Sequence, residues 1–237
     1  MFLRLFRRAV PAGEALLFDY DGVIADSGEV YFGEFTRLCS EMGFDRLNSK
    51  EAFLALFDHN LVLQLIRAGF PLRRLKELGR QVAPRVEAAN ERISPFPEMP
   101  GILARLADVH PVYIITSNAT FTVTRFLEKH RVAGVRGVIG ADQEPSKVKK
   151  IRRVMRLERG RRCWYVGDTR DDIVEARRAG VLAVGVAWGW HDEARIRSAR
   201  PDAVARRPDD LLRWFGAPKA DLETVRREGG PAEETRP

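Results

Sequence analysis

Glu14-Ala15-Leu16-Leu17-Phe18-Asp19-Tyr20-Asp21-Gly22 is the stretch on which the fold of this chain turns. A short apolar run ends abruptly in two carboxylates and a glycine. An apolar run of strand length bounded by turn formers is the pattern of a strand buried on both faces. Such strands belong to parallel sheets covered by helices on either side. The pattern recurs at Pro111–Thr116, Arg136–Gly140, Arg162–Gly167 and Val181–Ala187. Between these runs the apolar residues return with helical spacing. Ile102, Leu103 and Leu106 follow Pro100, and Val123, Phe126 and Leu127 form a second set. Val148, Ile151 and Met155 follow Ser146, an expected N-cap, and Ile173, Val174 and Ala176 lead to Gly180, an expected helix stop. Strands alternating with helices predict an α/β fold built on a doubly wound parallel sheet.

Residues 27–96 break the alternation. Phe32, Phe35, Cys39 and Met42 share a helical face that Gly43 ends, and Phe53–Phe57, Leu61–Ile66 and Leu72–Val86 continue helix after helix. Ser94-Pro95-Phe96-Pro97 then punctuates the return. The expected organisation is therefore a core from residues 1–26 and 97–217, interrupted by a smaller all-helical domain at 27–96. The polar stretch 218–237 is expected to be a disordered tail.

Composition excludes several classes. The longest apolar run, Val181–Trp190, has ten residues and two glycines, half of the roughly 20 needed to span a bilayer. Met1–Val10 is interrupted by Arg4, Arg7 and Arg8 and is not a secretory signal. Two cysteines, Cys39 and Cys163, make neither a disulfide framework nor a metal knuckle, so a cytoplasmic location is expected. The net charge is +7, but residues 146–162 hold nine Lys or Arg against the single acid Glu158. That surplus reads as one solvated basic helix rather than a nucleic-acid surface. The four histidines are isolated from one another and read as structural.

In a doubly wound sheet the site lies at the carboxyl ends of the strands. Four strand ends here carry reactive groups. The first offers Asp19 and Asp21, which alternation points the same way, with Gly22 freeing the backbone to turn. The second offers Thr116-Ser117-Asn118, the third Glu144-Pro145-Ser146-Lys147, and the fourth Asp168 with Asp172 four residues on. Clustered carboxylates repel unless a cation lies among them or one is protonated. Oxygen-only ligands on loops suit Mg²⁺, which keeps several waters and takes one or two carboxylates plus a substrate phosphate. Ser117 and Asn118 are neutral donors for phosphate oxygens, and Lys147 a cation beside the nucleophile. Thr116 is the alternative to Ser117, since a one-residue slip reverses the facing. Lys149 and Lys150 are alternatives to Lys147, which is preferred because it opens the helix after Pro145.

At these residues the chain resembles the haloacid dehalogenase superfamily, in its large phosphate-ester-hydrolysing branch. Four motifs stand in that family's order across residues 14–215. They are Phe18-Asp19-Tyr20-Asp21-Gly22-Val23-Ile24, Ser117 within Ile-Thr-Ser-Asn, Lys147, and Val166-Gly167-Asp168-Thr169-Arg170-Asp171-Asp172-Ile173. Trp188-Gly189-Trp190 further resembles the phosphoglycolate-phosphatase-like members. One departure is Glu144, where the family often has lysine before the proline. The resemblance implies that Asp19 attacks phosphorus and that Asp21 serves as acid and then base. It implies a Mg²⁺ site made from Asp19, the Asp21 main chain and Asp168, with Asp172 holding metal waters or Lys147. It also implies that residues 27–96 are a cap choosing the alcohol half of the substrate. That segment carries ten basic and nine acidic residues, so its charge names no ligand; Arg46, Lys50, His59 and Arg67 are its polar candidates. The expected function is a Mg²⁺-dependent phosphatase for a small phosphorylated metabolite of the phosphoglycolate kind. A sugar phosphomutase of the same superfamily and a non-catalytic phospho-receiver or binding module are the alternatives. The sequence is silent on oligomeric state.

Overall fold

The computed structural model describes residues 13–58 and 61–216; His59 and the tail expected at 218–237 lie outside them. Six parallel strands form one sheet: β1 (Glu14–Phe18), β2 (Val112–Ile115), β3 (Val135–Ile139), β4 (Arg162–Gly167), β5 (Leu182–Val186) and β6 (Ala203–Ala205). Their order is β3-β2-β1-β4-β5-β6. The chain steps outward from β1 through β2 to β3, then crosses back to β4 on the other side of β1. β1 therefore sits at the point where the winding reverses.

Strand pleating divides the core. Leu16, Phe18, Val112, Ile114, Val166 and Val184 face one layer, which includes α5 (Met99–Ala107), α6 (Thr120–Lys129) and α10 (Asp209–Phe215). Ala15, Leu17, Tyr113, Ile115, Tyr165 and Ala183 face the other, with α7 (Lys147–Leu157), α8 (Arg170–Ala179) and α9 (Glu193–Ser198). Burial on both faces explains why the strands read as unbroken apolar runs.

The strand β6 and the helix α10 have no counterpart among the runs the sequence singles out. Ala203-Val204-Ala205 is only three residues long and pairs in parallel with Val184–Val186. Its neighbours, not its own composition, make it a strand.

Residues 27–96 are helical: α1 (Gly28–Glu41), α2 (Lys50–Ala55), α3 (Leu61–Arg67) and α4 (Leu75–Asn90), joined by short 3₁₀ turns. Gly43 takes φ +67° after α1 and supplies the left-handed turn that ends it. The chain leaves and re-enters the core through one pair of neighbouring segments. Asp26 donates its N–H to Ser94 O, and Phe96 donates to Ile24 O. No helix among the described residues is long and apolar enough to cross a membrane.

Candidate active site

The carboxyl ends of β1, β2 and β4 meet where the winding reverses, the crevice in which open α/β sheets hold ligands. Pairing sets them level, for Phe18 lies opposite both Ile114 and Val166. The next residue, Asp19, is buried, and its N–H donates to Val166 O at 2.8 Å. Lys147, the first residue of α7, crosses to it. Its Nζ donates to Asp19 Oδ2 at 2.9 Å and to Asp172 Oδ1 at 2.6 Å. The neighbouring lysines go elsewhere: Lys149 is exposed, while Lys150 is fully buried and donates to Thr116 O.

After Asp19 the chain turns at Gly22, whose φ is +69°. Asp21 Oδ2 accepts from Asn118 Nδ2 at 2.7 Å, and Asp21 Oδ1 is buried without a hydrogen-bond partner among the described residues. Asn118 thus spends its amide on Asp21 and not on open space. Ser117 lines the cavity above the site, whereas Thr116 is fully buried and accepts from Asn118 N.

Asp168 and Asp172 arrive from β4 and the start of α8. Asp168 Oδ2 accepts from the Trp190 N–H at 2.8 Å. Four donors hold Asp172: Lys147 and the Tyr165 hydroxyl on Oδ1, and the Thr169 N–H and hydroxyl on Oδ2. The Thr169 hydroxyl accepts in turn from Asp172 N, which completes a capping box for α8.

Ligand oxygens of Asp19, Asp168 and Asp172 lie within 4.8 Å of one another, and all three residues are buried. Asp21 contributes no carboxylate to this cluster. Burial pushes the Asp19 carboxyl up to about 8; Lys147 opposes the shift, and Asp172 and Asp21 add to it. Burial, then Asp172 and Asp19, hold Asp168 well above the usual carboxylate range. Asp172 stays below that range because Lys147 and Thr169 outweigh its burial. Lys147 keeps its proton, since Asp172 and Asp19 overcome the effect of burial. One ammonium can balance only one of three buried carboxylates, which is why Asp19 and Asp168 hold their protons so firmly, and a divalent cation would stabilise them in the charged form. The donors are all oxygen, and the space is kept by glycines. A Cβ at Gly22 would lie 1.8 Å from Asp168 Oδ2, and one at Gly189 would lie 2.5 Å from Gly22 O. The residues present fit Mg²⁺.

Above these groups lies a cavity of about 170 Å³. Its opposite wall comes from the helical insertion: Leu56 and Phe57, from a 3₁₀ turn after α2, and Leu61 at the head of α3. Trp190 closes one side, its ring 4.7 Å from that of Phe57, 5.7 Å from Phe53 and 6.1 Å from Tyr31. None of Arg46, Lys50 and Arg67 lines the cavity, and Lys50 pairs with Glu29 at the surface. Asp171, in the first turn of α8 (Arg170–Ala179), also lines it.

His191 joins the two parts. Its Nδ1 accepts from Arg170 N at 3.0 Å and its Nε2 faces Leu54 O at 3.1 Å. Arg195 pairs with Asp58 through both oxygens. Sequence reading missed Phe57, Leu56 and the Asp58–Arg195 pair. An apolar pair in a helix signals packing, and no local pattern links two residues 137 positions apart.

The sequence profile of the haloacid dehalogenase-like hydrolases matches residues 16–186. A phosphoglycolate phosphatase of Synechococcus elongatus is 26% identical over 207 residues, covering 84% of this chain and 95% of that protein. The phosphoglycolate phosphatase of Escherichia coli K12 is 29% identical over 142 residues, 57% of this chain and 56% of its own length. A haloacid dehalogenase-like hydrolase from Streptococcus pneumoniae superposes with a TM-score of 0.75 at 23% identity, covering 85% of this chain and 97% of that one. A predicted phosphoglycolate phosphatase from Haemophilus somnus does so with a TM-score of 0.69 at 18% identity, covering 85% and 97%; likenesses this distant speak for the fold alone. With its profile running from β1 through β5, the chain belongs to the haloacid dehalogenase-like hydrolase family, in which it stands beside the phosphoglycolate-phosphatase-like members.

Proposed function

We propose that this hydrolase is a Mg²⁺-dependent phosphomonoesterase that acts on a small phosphorylated metabolite through an aspartyl-phosphate. The observation that carries the reading is Lys147 joined to Asp19 and Asp172 beneath a roofed cavity, with Asp168 alongside. Asp19 is the nucleophile, oriented by Lys147, whose charge favours its anionic form against the effect of burial. One of its oxygens bonds to phosphorus as the ester P–O bond breaks, and Asp21 gives its proton to the departing alcohol oxygen. Asp21 then takes a proton from the attacking water. The new P–O bond releases Asp19, leaving inorganic phosphate. Burial that pushes Asp21 up to about 6 suits a carboxyl that must serve as both acid and base. Asn118 holds Asp21 in place, and Ser117 donates to a phosphoryl oxygen.

Asp19, Asp168 and the Asp21 main chain would hold Mg²⁺, which when bound offsets the charge of the nucleophile and of the phosphoryl oxygens. Asp172, fully engaged by its four donors, supports Lys147. Residues 27–96 act as a cap that closes the cavity and chooses the alcohol. The activity named for the relatives makes phosphoglycolate the first ester to test.

Phosphate release from a panel of small esters, with Mg²⁺ and with EDTA, tests the reading. Release by the wild type should require the metal and fall at least about 10³-fold in Asp19→Asn. Release indifferent to both EDTA and Asp19→Asn would overturn it.

A further inference from the structure

A chain of polar side chains runs from the helical insertion to Asp21. It starts at Asn90, the last residue of α4, whose Nδ2 donates to Val86 O at 2.8 Å and so fixes which way the amide faces. Asn90 Oδ1 accepts from two hydroxyls, that of Tyr31 on α1 at 3.1 Å and that of Tyr20 at 3.3 Å. The Tyr31 oxygen stands 3.4 Å from Asn118 Nδ2, at the long end of the hydrogen-bond range, and the same Nδ2 donates to Asp21 Oδ2 at 2.7 Å. Tyr20, Tyr31 and Asn90 are all buried.

The chain has a direction. With both tyrosine hydroxyls giving their protons to Asn90, the Tyr31 oxygen is left as an acceptor for the Asn118 amide. The two N–H bonds of Asn118 are then divided between Tyr31 and Asp21, which keeps the amide nitrogen, and not its carbonyl, against the carboxyl. An N–H aimed at Oδ2 steers a proton on Asp21 to the other oxygen, Oδ1. Orientation is what these groups supply. Buried hydrogen-bonded side chains add little net stability over apolar ones of the same shape, and a phenylalanine at position 31 would keep the ring contact with Trp190.

We infer that Tyr31, itself held by Asn90, is a positioning residue for the acid–base step: through Asn118 it fixes the Asp21 carboxyl for proton delivery to the departing alcohol oxygen. The insertion thereby contributes to the chemistry as well as to the roof of the cavity. The inference rests on the phosphatase reading and deepens it.

Two leaving groups separate positioning from packing. An alkyl phosphate needs a proton from Asp21 as its P–O bond breaks, because an alkoxide is a poor leaving group. Acetyl phosphate expels acetate, which departs as the anion and needs none. The experiment compares kcat/KM in Mg²⁺ for acetyl phosphate and for the alkyl ester of the panel that the wild type turns over best. Tyr31→Phe should lose at least about tenfold on the alkyl ester and less than about twofold on acetyl phosphate. Asn90→Leu, checked for folding by circular dichroism, should shift the same ratio in the same direction. Equal losses on both substrates, or an unchanged ratio in either folded variant, would overturn the inference and leave the phosphatase intact. Absence of metal-dependent release from both substrates by the wild type would instead remove the phosphatase reading, and this inference with it.

Discussion

Asp19 and Asp172 are held by the same ammonium, yet burial and neighbours drive them apart: Asp19 is pushed up to about 8 and Asp172 is held low. The difference lies in the donors. Asp172 receives three hydrogen bonds besides that of Lys147, while Asp19 depends on Lys147 and on the Tyr20 N–H. The attack proposed for Asp19 needs this relative freedom, because a carboxylate saturated with donors is a poor attacker. The glycines next to the cluster keep its space. Gly189→Ala would drive a Cβ to 2.3 Å from Asp168 Cβ and 2.5 Å from the Gly22 carbonyl, neither of which is a movable side-chain tip. Mg²⁺-dependent phosphate release by Gly189→Ala should therefore fall at least about tenfold with the fold retained, as circular dichroism and steady-state kinetics would report. Wild-type rates in this variant would mean that Asp168 does not need its present position.

At the scale of elements, α8 joins stability to chemistry. Its capping box uses Thr169 and Asp172, so the bonds that begin the helix also aim the carboxylate that anchors Lys147. Thr169→Ala should cost about 1–2 kcal/mol in urea unfolding, and Thr169→Ser should restore most of it. The helix α7 carries a second consequence. Lys150 is buried, and burial followed by repulsion from Lys147 lowers its pKa to about 8 from an ordinary 10.5. The unfolded chain then binds a proton that the folded protein has released across that window. Stability contributed at this site must rise as pH climbs through 8 toward 10.5. Compared with Lys150→Met, the wild type should gain ~2 kcal/mol between about pH 8 and pH 10. A difference between the two proteins that does not change with pH would show that Lys150 titrates normally.

Over the whole molecule, the insertion is tied to the core at separate points. Asp58 pairs with Arg195, and the Asp58 carbonyl accepts from Arg170 at 2.9 Å. His191 faces Leu54 O at 3.1 Å. The Asp58–Arg195 pair is about three-quarters buried on each side and bidentate, so a double-mutant cycle with Asp58→Ala and Arg195→Ala should give a coupling of about 1 kcal/mol. A coupling near zero would mean that this pair adds nothing to holding the insertion beyond its other polar ties and its aromatic contacts. These ties also mark the limit of what the sequence discloses. The sheet was legible because strands buried on both faces must be apolar throughout, and the acidic strand ends were legible because a doubly wound sheet gathers them in one crevice. The insertion was legible as helices, from the spacing of Phe32, Phe35 and Cys39. The strand β6 was not, since three residues carry too little pattern. Nor was the burial of Lys150, whose side chain follows the ordinary face of a basic helix until α7 packs against β2. The contacts of Phe57 and Arg195 depend on how the insertion settles over the core, which no local spacing encodes.

The central claim is that a phosphoryl group passes through the Asp19 carboxylate, and trapping that group tests it most directly. The wild-type enzyme would be quenched in acid during turnover of a small phosphate ester in Mg²⁺, digested, and its peptides examined by mass spectrometry. The account predicts a phosphoryl adduct on Asp19 that is absent from Asp19→Asn and accumulates when Asp21→Asn slows hydrolysis of the intermediate. Turnover that leaves Asp19 unmodified in every sample, or an adduct on another residue, would contradict it.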